Sequence, residues 1–388
     1  MSRYLTADRI HDGIRFTDTG SILQVSEDGT IEALLAPGTV VAGEHYTGTL
    51  CPGFINAHCH TELSHMQGVI PEGTGLPGFL TRVMQHRNQG SPEEKEQSRW
   101  QAFRSMQRNG IVAIGDIANT TDTLDLRGEP GMYWYTFVES IGFTPERAPQ
   151  SFAYAENTYQ AFAAQEAAGN RLQQSIVPHA PYSVSEALFR LIGAHGSGKT
   201  LSVHNQETAD EALFYQDKSG AFPAFLEGLG IPHADFQPSG RNSLQTYMHW
   251  LGTTRPTMLV HNTFSSGEDM TAARAHFPQL FWCLCPNANL YIEQRLPDIP
   301  QMLEAGLQLC IGTDSLASNH QLSVLAELEC IDRQFPEIGW EQLFSWACHN
   351  GAKALQLENE LGTFRAGTKP GIVWIGPDKS MQRLDGSN

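Results

Sequence analysis

Eight short apolar runs recur along the middle of the chain, and stretches of helical character separate them. The runs are FINAH (54–58), IVAIGD (111–116), YWYTFVE (133–139), SIVPH (175–179), LSVH (201–204), TMLVH (257–261), LFWCLC (280–285) and LQLCIGTD (307–314). Runs of this kind are typical of strands that are buried on both faces of a parallel sheet. The alternation predicts an α/β protein built on a closed (β/α)8 TIM-like barrel, with an open doubly wound sheet as the alternative.

The two ends of the chain have a different sequence pattern. Residues 1–50 and the C-terminal LGTFRAGTKPGIVWIG carry short apolar stretches between turn signals, as short strands do. We therefore expect residues 1–50 and 355–388 to form one small β-domain around a barrel of residues 51–354. Residues 217–250 are rich in Gly, Pro and Ser and are interpreted as an insertion after the fifth strand.

Charge and composition exclude several classes of partner. The formal net charge is −17 and no run of Lys or Arg is present, so a nucleic-acid partner is not expected. The N-terminal residues lack the apolar core of a secretory signal, and no stretch approaches the roughly 20 apolar residues of a membrane span. Seven scattered cysteines suit buried free thiols better than a disulfide framework. We therefore expect a cytoplasmic protein without a membrane partner.

Several of the runs end in a residue that can hold a metal ion. His58 and His60 are two positions apart, and residues i and i+2 of a strand point to the same side, so both imidazoles can reach one ion. His204, His261 and Asp314 each close a later run. Barrels of this kind gather the carboxyl ends of their strands at one rim. The pattern favours a shared metal site over separate histidines that are satisfied by local hydrogen bonds.

Five segments extend this pattern: PGFINAHCH (52–60), HAPYS (179–183), VHNQE (203–207), LVHN (259–262) and GTDSLASN (312–319). In this order they resemble the metal-dependent amidohydrolase superfamily, and most closely its branch of purine and nucleoside deaminases and triazine hydrolases. The resemblance covers about residues 50–365. It implies a distorted barrel, a small β-sandwich domain built from both chain ends (1–50 plus 355–388), a small-molecule substrate and a possible homo-oligomer.

The resemblance also implies a metal site. His58, His60, His204 and Asp314 would hold one divalent metal, Zn²⁺ or alternatively Fe²⁺. Three nitrogens, one carboxylate and a water make a catalytic site with an exchangeable position. Two-metal relatives use a carboxylated Lys at the end of the fourth strand, where this chain has SIVPH, so a single metal is expected.

Catalytic roles follow from the same resemblance for Glu207, His261 and Asp314. Glu207 stands three residues after His204, although an isolated H-x-x-E more often places a glutamate in solvent. A metal lowers the pKa of its bound water toward ~7. Glu207 would protonate a ring nitrogen beside the C–NH₂ carbon, Asp314 would accept the proton of the water, and His261 would orient the water or stabilise the adduct.

Substrate contacts are expected from four residues. His179 and Ser318 match positions where relatives contact substrate, with a packed histidine at a strand end as the alternative for His179, whereas Asn319 is expected to brace its loop. Glu62 and His65 begin the loop after the first strand, where they contact substrate or else brace that loop.

Some features fit the resemblance less well. CPNAN (285–289) has Ala288 where relatives carry Ser, so its role is open. No residue matches the ribose-binding carboxylate that S-adenosylhomocysteine deaminases carry on the helix after the first strand. Arg82, Arg87 and Arg147 could bind a substrate carboxylate, but such residues are more often solvated.

A phosphate-loop pattern also occurs, in GAHGSGKT (193–200). A functional phosphate loop follows a strand and opens a helix. Here the helical SEALFRLIGAHG precedes the pattern and the strand LSVH follows it. We interpret the segment as a connection from helix to strand on the inactive side of the barrel.

The sequence thus predicts a metal-dependent hydrolytic deaminase that acts on the C–NH₂ of a purine, an adenosine-type nucleoside or a related ring. The alternative is a hydrolase of the same superfamily that opens a cyclic amide or displaces another ring substituent. A metal-free scaffold is a third hypothesis, which the intact histidine and aspartate pattern disfavours. The pattern neither names the heterocycle nor separates zinc from iron.

Overall fold

A computed structural model describes residues 2–39, 42–165, 171–196 and 198–384. Its strands are β1 (Ser2–Ile10), β2 (Ile22–Ser26), β3 (Ile31–Leu35), β4 (Glu44–Pro52), β5 (Phe54–Cys59), β6 (Ile111–Ala118), β7 (Tyr133–Ser140), β8 (Leu172–Pro178), β9 (Leu201–Asn205), β10 (Thr257–His261), β11 (Leu280–Leu284), β12 (Leu309–Ile311), β13 (Ile372–Ile375) and β14 (Met381–Arg383). Its helices are α1 (Gly75–His86), α2 (Pro92–Arg108), α3 (Leu124–Arg127), α4 (Ala148–Ala163), α5 (Glu186–Ala194), α6 (Ala209–Asp217), α7 (Phe222–Gly228), α8 (Ser243–Leu251), α9 (Gly267–His276), α10 (Pro286–Glu293), α11 (Ile299–Glu304), α12 (Val324–Gln334), α13 (Trp340–Ser345) and α14 (Gly351–Ala354).

Each of the eight predicted runs overlaps one of the strands β5–β12. They form two four-stranded sheets, in the orders β5-β6-β7-β8 and β9-β10-β11-β12, and every pairing within them is parallel. Most of their side chains are buried on both faces, which is why the runs are apolar along their length. The predicted parallel α/β arrangement is confirmed.

Backbone hydrogen bonds connect the edges of the two sheets. The His204 N–H of β9 donates to the carbonyl of His179, just after β8, at 3.0 Å. At the other edge the N–H groups of Thr313 and Asp314 donate to the His58 carbonyl of β5 at 2.9 and 3.1 Å. Gly312 permits this approach, because a Cβ there would lie 2.8 Å from the His58 Cβ. These contacts join β9 to the end of β8 and the end of β12 to β5.

The two chain ends meet in a single six-stranded sheet with the order β14-β13-β4-β1-β2-β3. Its apolar side chains, which include Leu5, Leu23 and Ile372, form a cluster separate from the main core. A two-layer sandwich is not shown by this sheet, so that part of the prediction stays a prediction. Residues 1, 40–41 and 385–388 of the predicted domain lie outside the described residues.

The predicted insertion and the phosphate-loop pattern both have clear places in the fold. Within residues 217–250 the chain forms α7 and most of α8, between β9 and β10. The pattern at 193–200 begins at the last residues of α5 and leads into β9, so its order is from helix to strand, as predicted. Ser197, within the pattern, lies outside the described residues.

Two predictions from composition can be compared with the structure. All seven cysteines lie within the described ranges, and all are buried free thiols. No helix in these ranges is long and apolar enough to cross a membrane.

Candidate metal centre and catalytic pocket

Five side chains from the carboxyl ends of four strands meet at one point. His58, His204 and His261 belong to β5, β9 and β10, and His60 and Asp314 follow β5 and β12 closely. The His60 Nε2 lies 3.2 Å from the Nε2 atoms of both His58 and His204 and 3.2 Å from Asp314 Oδ1. In addition, His58, His204, His261 and Asp314 each present a ligand atom within 4.8 Å of the others, a buried group that could hold a metal ion.

In His204 and His261, a hydrogen bond from Nδ1 keeps the proton of the neutral ring on that atom. The Nε2 of each ring therefore carries a lone pair. His204 Nδ1 lies 2.9 Å from the His179 carbonyl, which can only accept, so the neutral ring has its lone pair on Nε2. His261 Nδ1 lies 3.0 Å from Asn289 Oδ1, while the amide nitrogen of Asn289 faces Thr263 Oγ1 at 2.6 Å. Imidazole lone pairs and a carboxylate that converge in this way fit a divalent metal such as zinc.

The charges of the cluster agree with a ligand set for a cation. Burial lowers the pKa of His58 to about 3 and the pKa of His204 well below its usual value, so both rings are neutral at pH 7. Burial alone would raise the pKa of Asp314, but hydrogen bonds with His58 and His60 outweigh it and hold the pKa well below its usual value. A bound cation would balance the buried negative charge of this carboxylate.

The backbone is strained at two of these residues. His261 has a φ of 71° and Asp314 a φ of 56°, and left-handed conformations of this kind cost of order 1–3 kcal/mol outside glycine. The turn at Asp314 is held by two side chains that follow it. The Ser318 hydroxyl donates to Asp314 Oδ2 at 2.5 Å, and the Asn319 amide donates to the Thr313 carbonyl at 2.9 Å. The predicted bracing role of Asn319 agrees with this bond.

Glu207 is the acidic side chain next to His261. Its Oε1 lies 3.8 Å from His261 Nε2, and only 4% of the residue is exposed. Burial, together with the charge of Asp314, raises the pKa of Glu207 well above 4.5, which favours the protonated form of the carboxyl. Just before it, the N–H of Gln206 donates to Glu211 Oε1 at 3.0 Å, which fixes the chain at this point. Glu207 can therefore donate a proton to a group in the pocket.

A cavity of about 250 Å³ opens in front of the cluster. Its inner end is polar and includes His60, Glu207 and Asp314. Its outer wall is apolar and is built from α1 and from the predicted insertion around α7, with side chains that include Phe79, Val83, Phe225, Leu226 and Ile231. The insertion therefore forms one wall of the pocket, and the space suits a small molecule that carries a ring.

Two of the four expected substrate contacts line this cavity. His179 does so with its Nδ1 2.6 Å from Ser183 Oγ, which orients the ring. Glu62 also lines it, but its carboxylate accepts hydrogen bonds from the backbone N–H groups of Asn119 and Thr120 and from the Thr120 hydroxyl at 2.8 Å. Glu62 thus has the bracing role that was its predicted alternative.

The other two expected contacts, Ser318 and His65, need correction. Ser318 is fully buried behind Asp314, so its hydroxyl positions that carboxylate instead of facing the cavity. His65 Nε2 donates to the Arg87 carbonyl at 3.0 Å and borders a separate surface recess with His86. Neither residue lines the cavity.

Several residues of the pocket escaped prediction or had open roles. Glu139 and Asn119 line the cavity from the ends of β7 and β6; Glu139 closes a predicted strand, which was the available signal. Asn289 of the CPNAN segment holds His261, which gives that segment a role. Of the three arginines, Arg87 borders the cavity and Arg147 a neighbouring polar recess, whereas Arg82 donates to the Gly78 carbonyl.

Known proteins resemble this chain in sequence and in fold. The adenosine deaminase of Helicobacter pylori is 29% identical over 322 residues, which cover 80% of this chain and 75% of the relative. The crystal structure of Helicobacter pylori aminofutalosine deaminase in complex with methylthio-coformycin has a TM-score of 0.77 at 22% identity and covers 96% of this chain and 92% of that one. An adenosine deaminase from Xanthomonas campestris with bound zinc has a TM-score of 0.73 at 19% identity, with coverages of 96% and 84%.

The parallel α/β fold, with histidines and an aspartate gathered at the ends of its strands, defines a candidate metal-dependent enzyme. The model of the Amidohydrolase family matches residues 49–385. The chain therefore belongs to the amidohydrolase family, as its motifs predicted. The family and these relatives identify it as a hydrolase that acts on C–N bonds.

Proposed function

We propose that the chain is a hydrolytic deaminase that acts on the C–NH₂ of an adenosine-type nucleoside or a related aminated heterocycle and releases ammonia. The observation that carries the proposal is the buried carboxyl of Glu207, which lines the same cavity as the His–Asp cluster and whose pKa is raised by burial. Protonation of a ring nitrogen makes the adjacent carbon open to attack by water. The deaminases among the similar proteins support the same reaction class.

The metal in this proposal is one Zn²⁺ per chain, with Fe²⁺ as the alternative. Its ligands would be His58, His60, His204 and Asp314, and the zinc of the Xanthomonas campestris deaminase supports this choice of metal. When bound, such a metal supplies Lewis acidity that makes water reactive at neutral pH. His261, whose Nε2 faces Glu207, is assigned to orienting the water.

The side chains of this protein handle the protons. Asp314, ionised at neutral pH, accepts a proton from the attacking water as the C–O bond forms, and Glu207 donates its proton to the ring nitrogen. The proton on Asp314 then passes to the amino group, the C–N bond breaks and ammonia leaves. The proton of the new hydroxyl returns to Glu207 as the carbonyl forms, which restores both carboxyl groups.

The finer architecture is also a proposal. We infer that β5–β12 close into one eight-stranded barrel within residues 51–354, and that residues 1–50 and 355–388 form a small β-sandwich domain. The hydrogen bonds between the sheet edges and the separate apolar cluster of the chain ends support this division. Buried free thiols support a cytoplasmic location. Homo-oligomerisation stays a prediction.

Ammonia release by zinc-loaded protein tests the proposed function. The substrates to compare are adenosine, 5′-methylthioadenosine, S-adenosylhomocysteine, aminodeoxyfutalosine, adenine, guanine, a pterin and an amino-triazine. We expect release from at least one of them, loss of activity after chelation and recovery with Zn²⁺. If protein with one zinc per chain releases no ammonia from any of these substrates, the result would contradict deamination and favour hydrolysis of another ring bond. A protein that binds no metal would favour a scaffold.

A further inference from the structure

Gln206 is the buried residue directly before Glu207, and only 3% of it is exposed. Its φ of 45° is left-handed, a conformation that side chains other than those of asparagine and aspartate rarely adopt. Such a conformation persists only where the surrounding structure imposes it. The bend at Gln206 follows β9, so the contacts that impose it also set the direction in which the chain enters Glu207.

All four polar groups of Gln206 have hydrogen-bond partners. Its N–H donates to Glu211 Oε1 at 3.0 Å, and its carbonyl accepts from the Phe264 N–H at 2.9 Å. In the side chain, Nε2 donates to Asp269 Oδ2 at 3.0 Å and Oε1 accepts from the Ser265 hydroxyl at 2.5 Å. Because the amide is held at both its donor and its acceptor end, its orientation is fixed.

These bonds connect the segment after β9 to the segment after β10. Three of the four partners follow β10, the strand that ends at His261. One residue before Gln206, the two segments are joined again. The Asn262 N–H donates to the Asn205 carbonyl at 3.0 Å, and the Asn205 amide donates to Asn262 Oδ1 at 3.0 Å. The segment that carries Glu207 is therefore held against the segment that begins at His261.

Asp269 is a firm anchor for the Gln206 side chain, because it is 1% exposed and has several other donors. Its Oδ2 also accepts from the N–H and the hydroxyl of Ser266 at 3.0 and 2.8 Å. Its Oδ1 accepts from the amides of Asn242 and Gln245, at the start of α8, at 2.7 and 2.9 Å. The carboxylate therefore keeps its place when one donor is removed.

We propose that Gln206 is a positioning residue, whose side-chain hydrogen bonds to the segment after β10 hold the Glu207 carboxyl beside His261. The inference rests on the proposed function, in which Glu207 donates a proton, and adds the residue that sets the position of this donor. Gln206 does not line the cavity, so it acts through its neighbour and does not touch substrate. A misplacement of about 1 Å can cost about 10²-fold in rate, so loss of these bonds has a measurable effect.

Crystal structures of zinc-loaded variants test the positioning without turnover. In Gln206→Met the side chain keeps its length but loses both hydrogen bonds. We expect the Glu207 carboxyl to move by about 1 Å or more from its place 3.8 Å from His261 Nε2. Gln245→Met is the matched control, because it removes a hydrogen bond to the same Asp269 carboxylate from the side of the insertion. In this control the Glu207 carboxyl should stay in place.

A double-mutant cycle in the ammonia assay shows whether Gln206 acts through Glu207. Gln206→Met should lower kcat about 10- to 100-fold and change KM less, because the misplaced group acts in the transition state. In the Glu207→Gln background the same replacement should change kcat less than about threefold, because the group that it positions has already lost its proton. Ser265→Ala removes only the donor to Gln206 Oε1 and should give a smaller shift and a smaller loss of kcat.

Several results would overturn the inference. They are a Glu207 carboxyl that stays in place in Gln206→Met, an equal displacement in Gln245→Met, and an equal fall in kcat with and without Glu207→Gln. Loss of zinc in Gln206→Met would also overturn it, because the residue would then act on the metal site. If Gln206→Met does not fold, Ser265→Ala decides by the same measurements. If the wild-type protein with zinc releases no ammonia, the proposed function fails, whereas the crystal structures still decide what positions Glu207.

Discussion

Replacing Glu207 by Gln tests the proton donor of the proposed reaction. The amide keeps the size of the side chain but has no proton that it can transfer. Glu207 lies 3.8 Å from His261 Nε2, and burial with the nearby charge of Asp314 raises its pKa well above 4.5, which favours the protonated carboxyl that a proton donor needs. Because a positioned general acid contributes about 10²–10⁴-fold, we expect kcat to fall at least ~10²-fold, or about 2.7 kcal/mol in the barrier.

The assay is the initial rate of ammonia release at saturating substrate and pH 7, with the zinc content of each sample measured by mass spectrometry. KM should change less than kcat, because the lost proton transfer belongs to the transition state. Glu227→Gln is the matched control, since Glu227 is an exposed carboxylate of α7, and it should turn over like wild type. Near-normal kcat of Glu207→Gln at full zinc occupancy would refute the assigned role.

Three further predictions concern the residues and the metal around this centre. Asn289→Ala removes the acceptor of His261 Nδ1, so kcat in the ammonia assay should fall about 10- to 100-fold at unchanged zinc content; an unaltered kcat would contradict the orienting role. Burial raises the pKa of Glu211 from 4.5 to about 7, so the folded state binds this proton more tightly and the free energy of unfolding falls as pH rises between these values. Between pH 5 and pH 8, the free energy of unfolding measured in urea should therefore fall by about 2–3 kcal/mol less in Glu211→Gln than in wild type. The same pH dependence in both proteins would argue against the raised pKa. Chelation should lower Tm and added Zn²⁺ should raise it with concentration, whereas a Tm indifferent to zinc would show that the His–Asp cluster does not bind it.

The sequence predicted the positions of the eight parallel strands because burial on both faces makes such strands apolar along their whole length. Their ends were predicted less well. The run 307–314 forms only the short strand β12, because the chain turns at Gly312 to approach His58 and reaches a φ of 56° at Asp314. That turn depends on contacts with β5, which is more than 250 residues away in the chain. Local propensity therefore does not predict it.

The convergence of the histidines and the aspartate was also predictable, since strand ends of a parallel sheet share one rim. The orientation of loop side chains was not. Ser318 and His65 lie close in sequence to the proposed ligands, yet Ser318 turns inward to Asp314 and His65 turns outward to the Arg87 carbonyl. Outside regular structure no periodicity tells which way a side chain points, so proximity in sequence overestimated their contact with substrate.

Asp116 and Glu139 show why a strand-end position predicts where chemistry can occur but not which residue performs it. Both are buried carboxyls near the ends of predicted strands, and each has one oxygen without a hydrogen-bond partner among the described residues. Asp116 accepts the Thr61 N–H at 3.0 Å beneath the rim, away from the cavity, and burial raises its pKa to about 7, which lets a proton take the place of a partner. Glu139 borders the cavity, and its Oε1 lies 3.5 Å from His204 Nδ1. The sequence does not distinguish the two carboxyls, and only the structure shows that Glu139 borders the cavity while Asp116 does not.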